Sequence, residues 1–251
     1  MTESAWAPDA LARDLGALGL RAGDTVMVHA SMRAIGPVLG GADGVIDALD
    51  VVLGPAGTSV MNLGAVEGEP FDAVRTPADP DVGVLAEVFR RRPGTVVSDH
   101  PDGRFGARGG AATHLTGDVP WNDYYGPGST LERLVAMGGH VLRLGSDLDT
   151  VTMIHLAEYL ADVPDKRRVR RKHRVIGPDG AVHVREVECL DDSDGIVDHP
   201  GEDYFATITR DYLATGAARV GRVGAARTEL IRADDLVHFA TAWMNEHLGG
   251  R

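Results

Sequence analysis

The chain predicts an α/β protein, a mixed central sheet flanked by helices, with a smaller β-rich insertion behind a central histidine-bearing helix. Three observations carry that prediction. Apolar, β-branched runs such as Asp24 to Ala30 and Val141 to Leu144 end in turns and lead into segments of helical period. Val141 to Asp162, VLRLGSDLDTVTMIHLAEYLAD, is the fullest of these strand, turn and helix units. Behind it, about residues 165–200 alternate around Pro178-Asp179-Gly180, which marks a hairpin turn. The expected organisation is one domain over residues 1–251, with the hairpin as a subregion.

Taken in order, Pro8 to Leu18 predicts a helix with Leu11, Leu15 and Leu18 on one face and Gly19 after its end. DTVMVHA makes a strand ending at His29, and the loop from Ser31 to Gly41 leads to a helix at about Ala42 to Leu53, closed by Gly54-Pro55. Thr58 to Leu63 is the next strand. Gly64 to Asp81, rich in Gly, Pro and acids, reads as a rim loop carrying Glu67, Glu69 and Asp72. Leu85 to Arg92 is a short helix stopped by Pro93, followed by a strand at Thr95 to Ser98 and the loop Ser98-Asp99-His100-Pro101. Ser129 caps a helix over Thr130 to Met137, with Glu132 as its capping-box partner. Arg170 to Ile176 and Ala181 to Cys189 are the arms of the hairpin. About Glu202 to Leu213 forms a helix, Arg219 to Ile231 a last strand or pair, and Asp234 to Leu248 an amphipathic helix presenting Leu236, Phe239, Ala240 and Trp243.

Composition narrows the class. The 251 residues are 43% hydrophobic and 25% charged, ordinary for a globular protein. No apolar run approaches the roughly 20 residues that span a bilayer, and MTESAWAPDA lacks the features of a signal peptide, so a cytoplasmic location is expected. A net charge of −12 argues against a nucleic-acid partner and suits a polycationic ligand. The basic run VPDKRRVRRKHRV reads as a solvated sheet edge or a patch for coenzyme phosphates. The single cysteine, Cys189, excludes an internal disulfide and a thiolate metal cluster.

The central helix, expected from about Thr150 to Ala161 with Asp149 at its cap, carries His155. Thr152 and His155 are three apart and His155 and Tyr159 four apart, so they share a face with Glu158 on its flank. A lone helical histidine is more often a core or surface residue. His155-x-x-Glu158 is also a spacing that metal-binding bundles use, but the further ligands such bundles need are absent from the sequence, and no metal is expected. At the end of the first strand, backbone N–H groups in the Ser31 to Gly41 loop make it a candidate for the phosphates or pantetheine arm of a coenzyme, with a plain connecting loop as the alternative. His29 either contacts ligand or ties the strand end to backbone, an orienting role being favoured over proton transfer.

The run LGSDLDTVTMIHLAEYLADVPDKR resembles the most characteristic segment of the aminoglycoside 3-N-acetyltransferase family, in which a glycine-ended strand leads to a threonine, two residues, then His-x-Ala-Glu. VMVHASMRAIGPVLGGADGVIDALDVVLGPAGTSVM, EGEPFDAVRTPADPDVGVLAEVFRRRPG, SDHPDGRFGARG, GPGSTLERL and VGRVGAARTELIRADDLVHFATAWM are similar to further family blocks, in order, over more than 200 of the 251 residues. Two departures stand out. Asn62-Leu63-Gly64 replaces a frequent Pro-Thr-aromatic, and Val97 replaces the arginine of Arg-Ser-x-His-Pro.

The resemblance implies acetyl transfer from acetyl-CoA to the 3-amine of a 2-deoxystreptamine antibiotic, hence antibiotic resistance. Acetylating an ammonium group requires its deprotonation, a held thioester and stabilisation of the developing oxyanion. His155 is the expected base, by direct attack without an acyl-enzyme. Its carboxylate partner is expected from the acidic strand segment after the helix, with Glu188 chosen and Asp192 close behind. Thr152 is the candidate donor to the thioester oxygen, a back-bond to its own helix being the alternative. The coenzyme is expected on His29, Ala30, Ser31, Met32, Ser98 and Gly145, and the antibiotic on Glu67, Asp72, Asp123, Tyr124 and Asp192; an aromatic packed under its loop, or a solvated acid, is the alternative for any of the latter. The Asn62 segment motivates a second reading, an acyltransferase for a different amine, and a third is a non-catalytic binder of antibiotic or coenzyme. Oligomeric state is left open.

Overall fold

The computed structural model describes residues 5–66, 68–201 and 203–249. Its first half runs Pro8–Leu18 (α1), Thr25–Ala30 (β1), Met32–Ile35 (α2), Ala42–Leu53 (α3), Thr58–Asn62 (β2), Val84–Arg91 (α4), Val96–Val97 (β3), Phe105–Gly109 (β4) and Ala112–Thr116 (α5). The second half runs Thr130–Ala136 (α6), His140–Leu144 (β5), Ile154–Leu160 (α7), Arg168–Ile176 (β6), Val182–Leu190 (β7), Tyr204–Ala214 (α8), Arg219–Val223 (β8), Ala226–Arg232 (β9) and Ala233–His247 (α9). Seven strands join in the order β3-β4-β2-β1-β5-β9-β8. Only the β1 pairings with β2 and β5 are parallel; the remaining pairs are antiparallel. The sheet is mixed, as the sequence predicts.

Alternation along the strands builds a layer on each face. Val26 and Val28 of β1 point with Leu142 of β5 into a core shared with Leu11, Leu15, Ile46 and Leu49 of α1 and α3. Met27, Val141 and Ile231 point the other way, against Leu134, Leu156, Leu236 and Ala240 of α6, α7 and α9. Because β1 and β5 are covered on both faces, both sets of positions are apolar until the chain reaches functional side chains. Those begin at the strand ends, where His29, Arg143 and Glu229 stand in register across β1, β5 and β9. Gly145 ends β5 with φ +70°, and a Cβ there would lie 2.6 Å from that of Ala34, so glycine lets α2 approach the strand end.

β6 and β7 form the separate two-stranded sheet. Its turn closes through the Gly177 N–H to the Ala181 carbonyl, with Gly180 at φ +77°. Phe71 of the rim loop bridges β6 at Val175, and the Trp121 indole donates to the Glu186 carbonyl of β7. Thus the hairpin is tied to the two loops that flank the cleft below. Among the described residues no helix is long and apolar enough to cross a membrane. Glu67, expected on the rim, and Glu202, expected to open α8, lie outside the described residues.

The principal departure lies in the central unit. The expected helix from Thr150 instead begins at Ile154, after a 3₁₀ turn over Leu148–Thr150. Thr150 competes with helix formation by donating its N–H and hydroxyl to the Asp147 carbonyl, and Asp149 caps nothing. Thr152 therefore precedes the helix rather than sharing its face.

Candidate active site

One helical turn of α7 brings His155 and Glu158 together, with His155 Nδ1 2.7 Å from Glu158 Oε2. The carboxylate is 1% exposed, while the imidazole keeps 15% of its surface open. Two aromatic rings pack against the imidazole. Tyr125 stacks parallel at 4.7 Å, and Phe205 lies tilted at the same centroid distance. Glu158 also accepts the Tyr204 hydroxyl. Burial drives the imidazole pKa down, but the charge and hydrogen bond of Glu158, with Asp192 and Asp203 farther off, prevail and raise it above the ordinary value. A hydrogen bond to a carboxylate places the proton on Nδ1 and leaves Nε2 as the basic nitrogen.

Glu158 thus occupies the position expected of Glu188. The Glu188 carboxylate lies on the hairpin's exposed face, where Arg168 and Arg170 pair with it and hold it below the usual carboxylate range. Arg170 stands opposite it across the ladder and Arg168 reaches it diagonally, and together they take up both oxygens. Asp192 does border the site, its burial opposed by Arg171 and by the nearby His155, so that its pKa is lowered. Tyr159 turns its hydroxyl to the Leu190 N–H instead of the cleft.

Four further expected contacts take other positions. Asp123 pairs with Arg168 and belongs to the hairpin junction. Tyr124 is fully buried, its hydroxyl donating to Asp192 and accepting from Arg171, so it positions Asp192 without lining the cleft. The next residue, Tyr125, is the one that faces it. Asp72 spends its carboxylate on the Val74 and Arg75 N–H groups of its own turn. Ser98 is 1% exposed and is consumed by the Gly103 carbonyl and the Phe105 N–H, at the β3 edge of the sheet.

Open space borders the Leu148–Thr150 turn on both sides. A depression of about 210 Å³ contains His155 and Glu158 with Asp149, Asp191, Asp192 and Asp203. It shares Asp192 and Ser193 with a cleft of about 600 Å³ lined by Asn62, Glu69, Asp79, Asp102 and Tyr125, with Arg171, Lys172, His173 and Arg174 along the hairpin wall. The rim of this cleft is stapled from inside. Arg104, with no exposed surface, donates to the carbonyls of Gly64, Ala73, Thr76 and Pro77 and lies 5.2 Å over the Phe71 ring.

A separate cleft of about 620 Å³ lies where β5 and β9 meet α8, lined by Ala34, Gly145, Ser146, Leu148, Leu213 and Ala214 with Arg143, Arg210, Arg227 and Glu229. The Leu148–Thr150 turn and α8 form the wall between the two sides, since Leu148 and Leu213 face one and Asp149 and Phe205 the other. Apolar walls for a pantetheine chain and guanidinium groups for phosphates fit an acyl-coenzyme, as do the unpartnered Ser146 Oγ and Arg143 Nε. Ser31 caps α2 by accepting the Ala34 N–H, carrying Ala30 and Met32 to this end of β1. His29 is buried with Nε2 unpartnered, and burial with Arg143 beside it pushes its pKa down to about 4, so it stays neutral. Among the described residues no group of three or more His, Cys, Asp or Glu side chains could hold a metal ion.

Sequence spacing did contain the His155 and Glu158 pair, as i and i+3. Tyr125, Asp203 and Arg104 carry no comparable signal, because their neighbours come from distant segments.

Residues 27–245 match the family described as aminoglycoside 3-N-acetyltransferase. Aminoglycoside N(3)-acetyltransferase VII of Streptomyces paromomycinus is 45% identical, covering 95% of this chain and 91% of that protein. The solved structure described as AAC-IIIb binary with CoASH superposes with a TM-score of 0.94 at 38% identity over 99% of each chain. AAC-VIa bound to sisomicin gives 0.93 at 32% identity, over 98% of this chain and 100% of that one. With the fold, the histidine-bearing helix and these likenesses in agreement, the chain belongs to the aminoglycoside 3-N-acetyltransferase family.

Proposed function

We propose that the protein transfers an acetyl group from acetyl-CoA to the 3-amine of a 2-deoxystreptamine aminoglycoside by direct, base-assisted attack, and so confers resistance. The observation that carries this reading is the imidazole fixed by Glu158 through Nδ1, with an open edge beside an acidic depression. Acetyl-CoA supplies the activated acyl group, and the arginine-bearing cleft behind the Leu148–Thr150 turn suits it. Asp192, Asp203 and Glu69 suit the ammonium groups of a polycation.

His155 Nε2 accepts the proton that the amine must lose before it attacks. Glu158 keeps the ring in the correct tautomer and stabilises the imidazolium that results. General base action of this kind contributes roughly a hundred- to ten-thousand-fold, and positioning of the two substrates much of the rest. Thr152 remains the candidate donor to the acyl oxygen, and its place ahead of α7 frees it from helical back-bonding.

The test incubates the protein with acetyl-CoA and a panel of 2-deoxystreptamine antibiotics and follows free thiol. Release that His155→Ala abolishes, with a product whose fragmentation places the acetyl on the 3-amine, is expected. Absence of release across the panel overturns the assignment. Release only with other amines selects a different acceptor, and tight binding without release selects a binder.

A further inference from the structure

We infer that Tyr204 is a positioning residue for proton transfer, fixing the Glu158 carboxylate and through it the orientation and charge of His155. This deepens the proposed mechanism and rests on His155 being its base. The argument begins with the carboxylate, which is 1% exposed and has two oxygens to satisfy. Oε2 takes the imidazole and Oε1 takes the Tyr204 hydroxyl. Without that second donor, a buried anion would retain only the histidine, and both its rotamer and its charge would be set less firmly.

Tyr204 is itself fixed from three directions. Its oxygen accepts the Ile196 N–H at 3.2 Å, which turns the O–H toward Glu158. It opens α8 directly after Asp203, whose carboxylate accepts the Phe205 N–H and caps the helix. Gly195, at φ +81°, lies flat against the ring, and a Cβ there would come within 2.8 Å of Tyr204 Cε1 and 3.0 Å of its hydroxyl oxygen. The glycine is thus the space in which the phenol sits. Burial first, and then the Glu158 charge, push the phenol's pKa up, so it remains a donor throughout the working pH range. The other charged or titratable groups lining the imidazole depression are Asp149, Asp191, Asp192, Asp194, Asp203 and His199, while Glu158 takes its two hydrogen bonds from His155 and Tyr204.

A merely structural tyrosine would lower stability and leave His155 alone. The distinguishing readout is therefore the titration of His155 by nitrogen-15 histidine NMR, taken without substrates, in the full chain and in Tyr204→Phe. A carboxylate that no longer shares its charge with a phenol holds the imidazolium more strongly, so the midpoint is expected to rise by about half to one pH unit. Thiol release should lose about tenfold or more in kcat, with its acid limb displaced upward and KM for acetyl-CoA unchanged. Gly195→Ala, which keeps the hydroxyl but displaces it, should move the midpoint in the same direction, and it serves where Tyr204→Phe fails to fold. An unchanged midpoint with unchanged kcat, or a lowered melting temperature alone, overturns the inference. Since the NMR titration needs no acceptor, it stands apart from failure to find an amine that is acetylated.

Discussion

The Tyr125 ring lies parallel to the His155 imidazole, with centroids 4.7 Å apart and planes within 9°. Together with Phe205 it packs against the imidazole and leaves it an open edge. Such a ring pair contributes roughly 1 kcal/mol beyond its burial, and its larger effect is on orientation. Tyr125→Leu is expected to lower kcat about ten- to a hundredfold with KM for acetyl-CoA little changed, measured by steady-state thiol release. Loss confined to coenzyme binding would contradict it.

The Glu158 charge raises the proton affinity of His155, so the acid limb of the kcat profile should lie above 6.5, the ordinary histidine value. Glu158→Gln removes that charge. The limb should move to lower pH while the plateau falls by roughly a hundredfold, because the imidazolium formed during transfer loses its counter-ion. In linkage terms the raised folded value adds stability that is complete below 6.5 and is lost as pH climbs through the folded value. A pH series of the variant and the parent checks both signs.

Glu188→Gln should leave kcat within about twofold of the parent, since the carboxylate serves two exposed arginines and not the imidazole. A loss comparable to that of Glu158→Gln, in the same assay, would restore it to the catalytic pair.

Arg104→Met removes the donor to four carbonyls of residues 64–77 at once. Leaving these acceptors without their cation should destabilise the protein by about 3 kcal/mol in urea unfolding. It should also raise KM for the acceptor while sparing that for acetyl-CoA, because Glu69 hangs on the loosened rim and the cleft proposed for the coenzyme lies beyond β1.

His29 should make the fold sensitive to acid. Its pKa, held down to about 4 by burial and by Arg143, lies below the unfolded value of 6.5, so the unfolded chain binds more protons between them. Stability is present above 6.5 and is lost as pH falls toward 4, by up to roughly 3 kcal/mol. His29→Gln should flatten the difference between unfolding free energies measured at pH 7 and pH 4.5.

Most of the fold was legible because it rests on short-range signals. The apolar alternation of β1 and β5, the Pro178-Asp179-Gly180 turn and the Ser129 cap each declare themselves within a few residues. The site was legible only where it is local. Glu158 lies three residues from His155, yet the family resemblance points to the acidic run at Glu186 to Asp194 for the carboxylate. Pairing geometry decided otherwise, since β6 sets Arg170 opposite Glu188. Tyr124 and Tyr125 are adjacent, chemically alike and both buried, and nothing short of the packed hairpin shows that Tyr125 is the one lining the cleft. For Ser98 and Asp72, polar side chains in turns were claimed by their own backbone before any ligand.

His155 and Glu158 come from a single turn of α7, whereas the walls of the adjoining depression and cleft are drawn from the rim loop, the hairpin and the segment before α8. Under the proposed mechanism, acceptor range and proton chemistry are therefore separately heritable: a lineage can exchange charges along the walls to admit a new antibiotic while inheriting the deprotonating apparatus untouched.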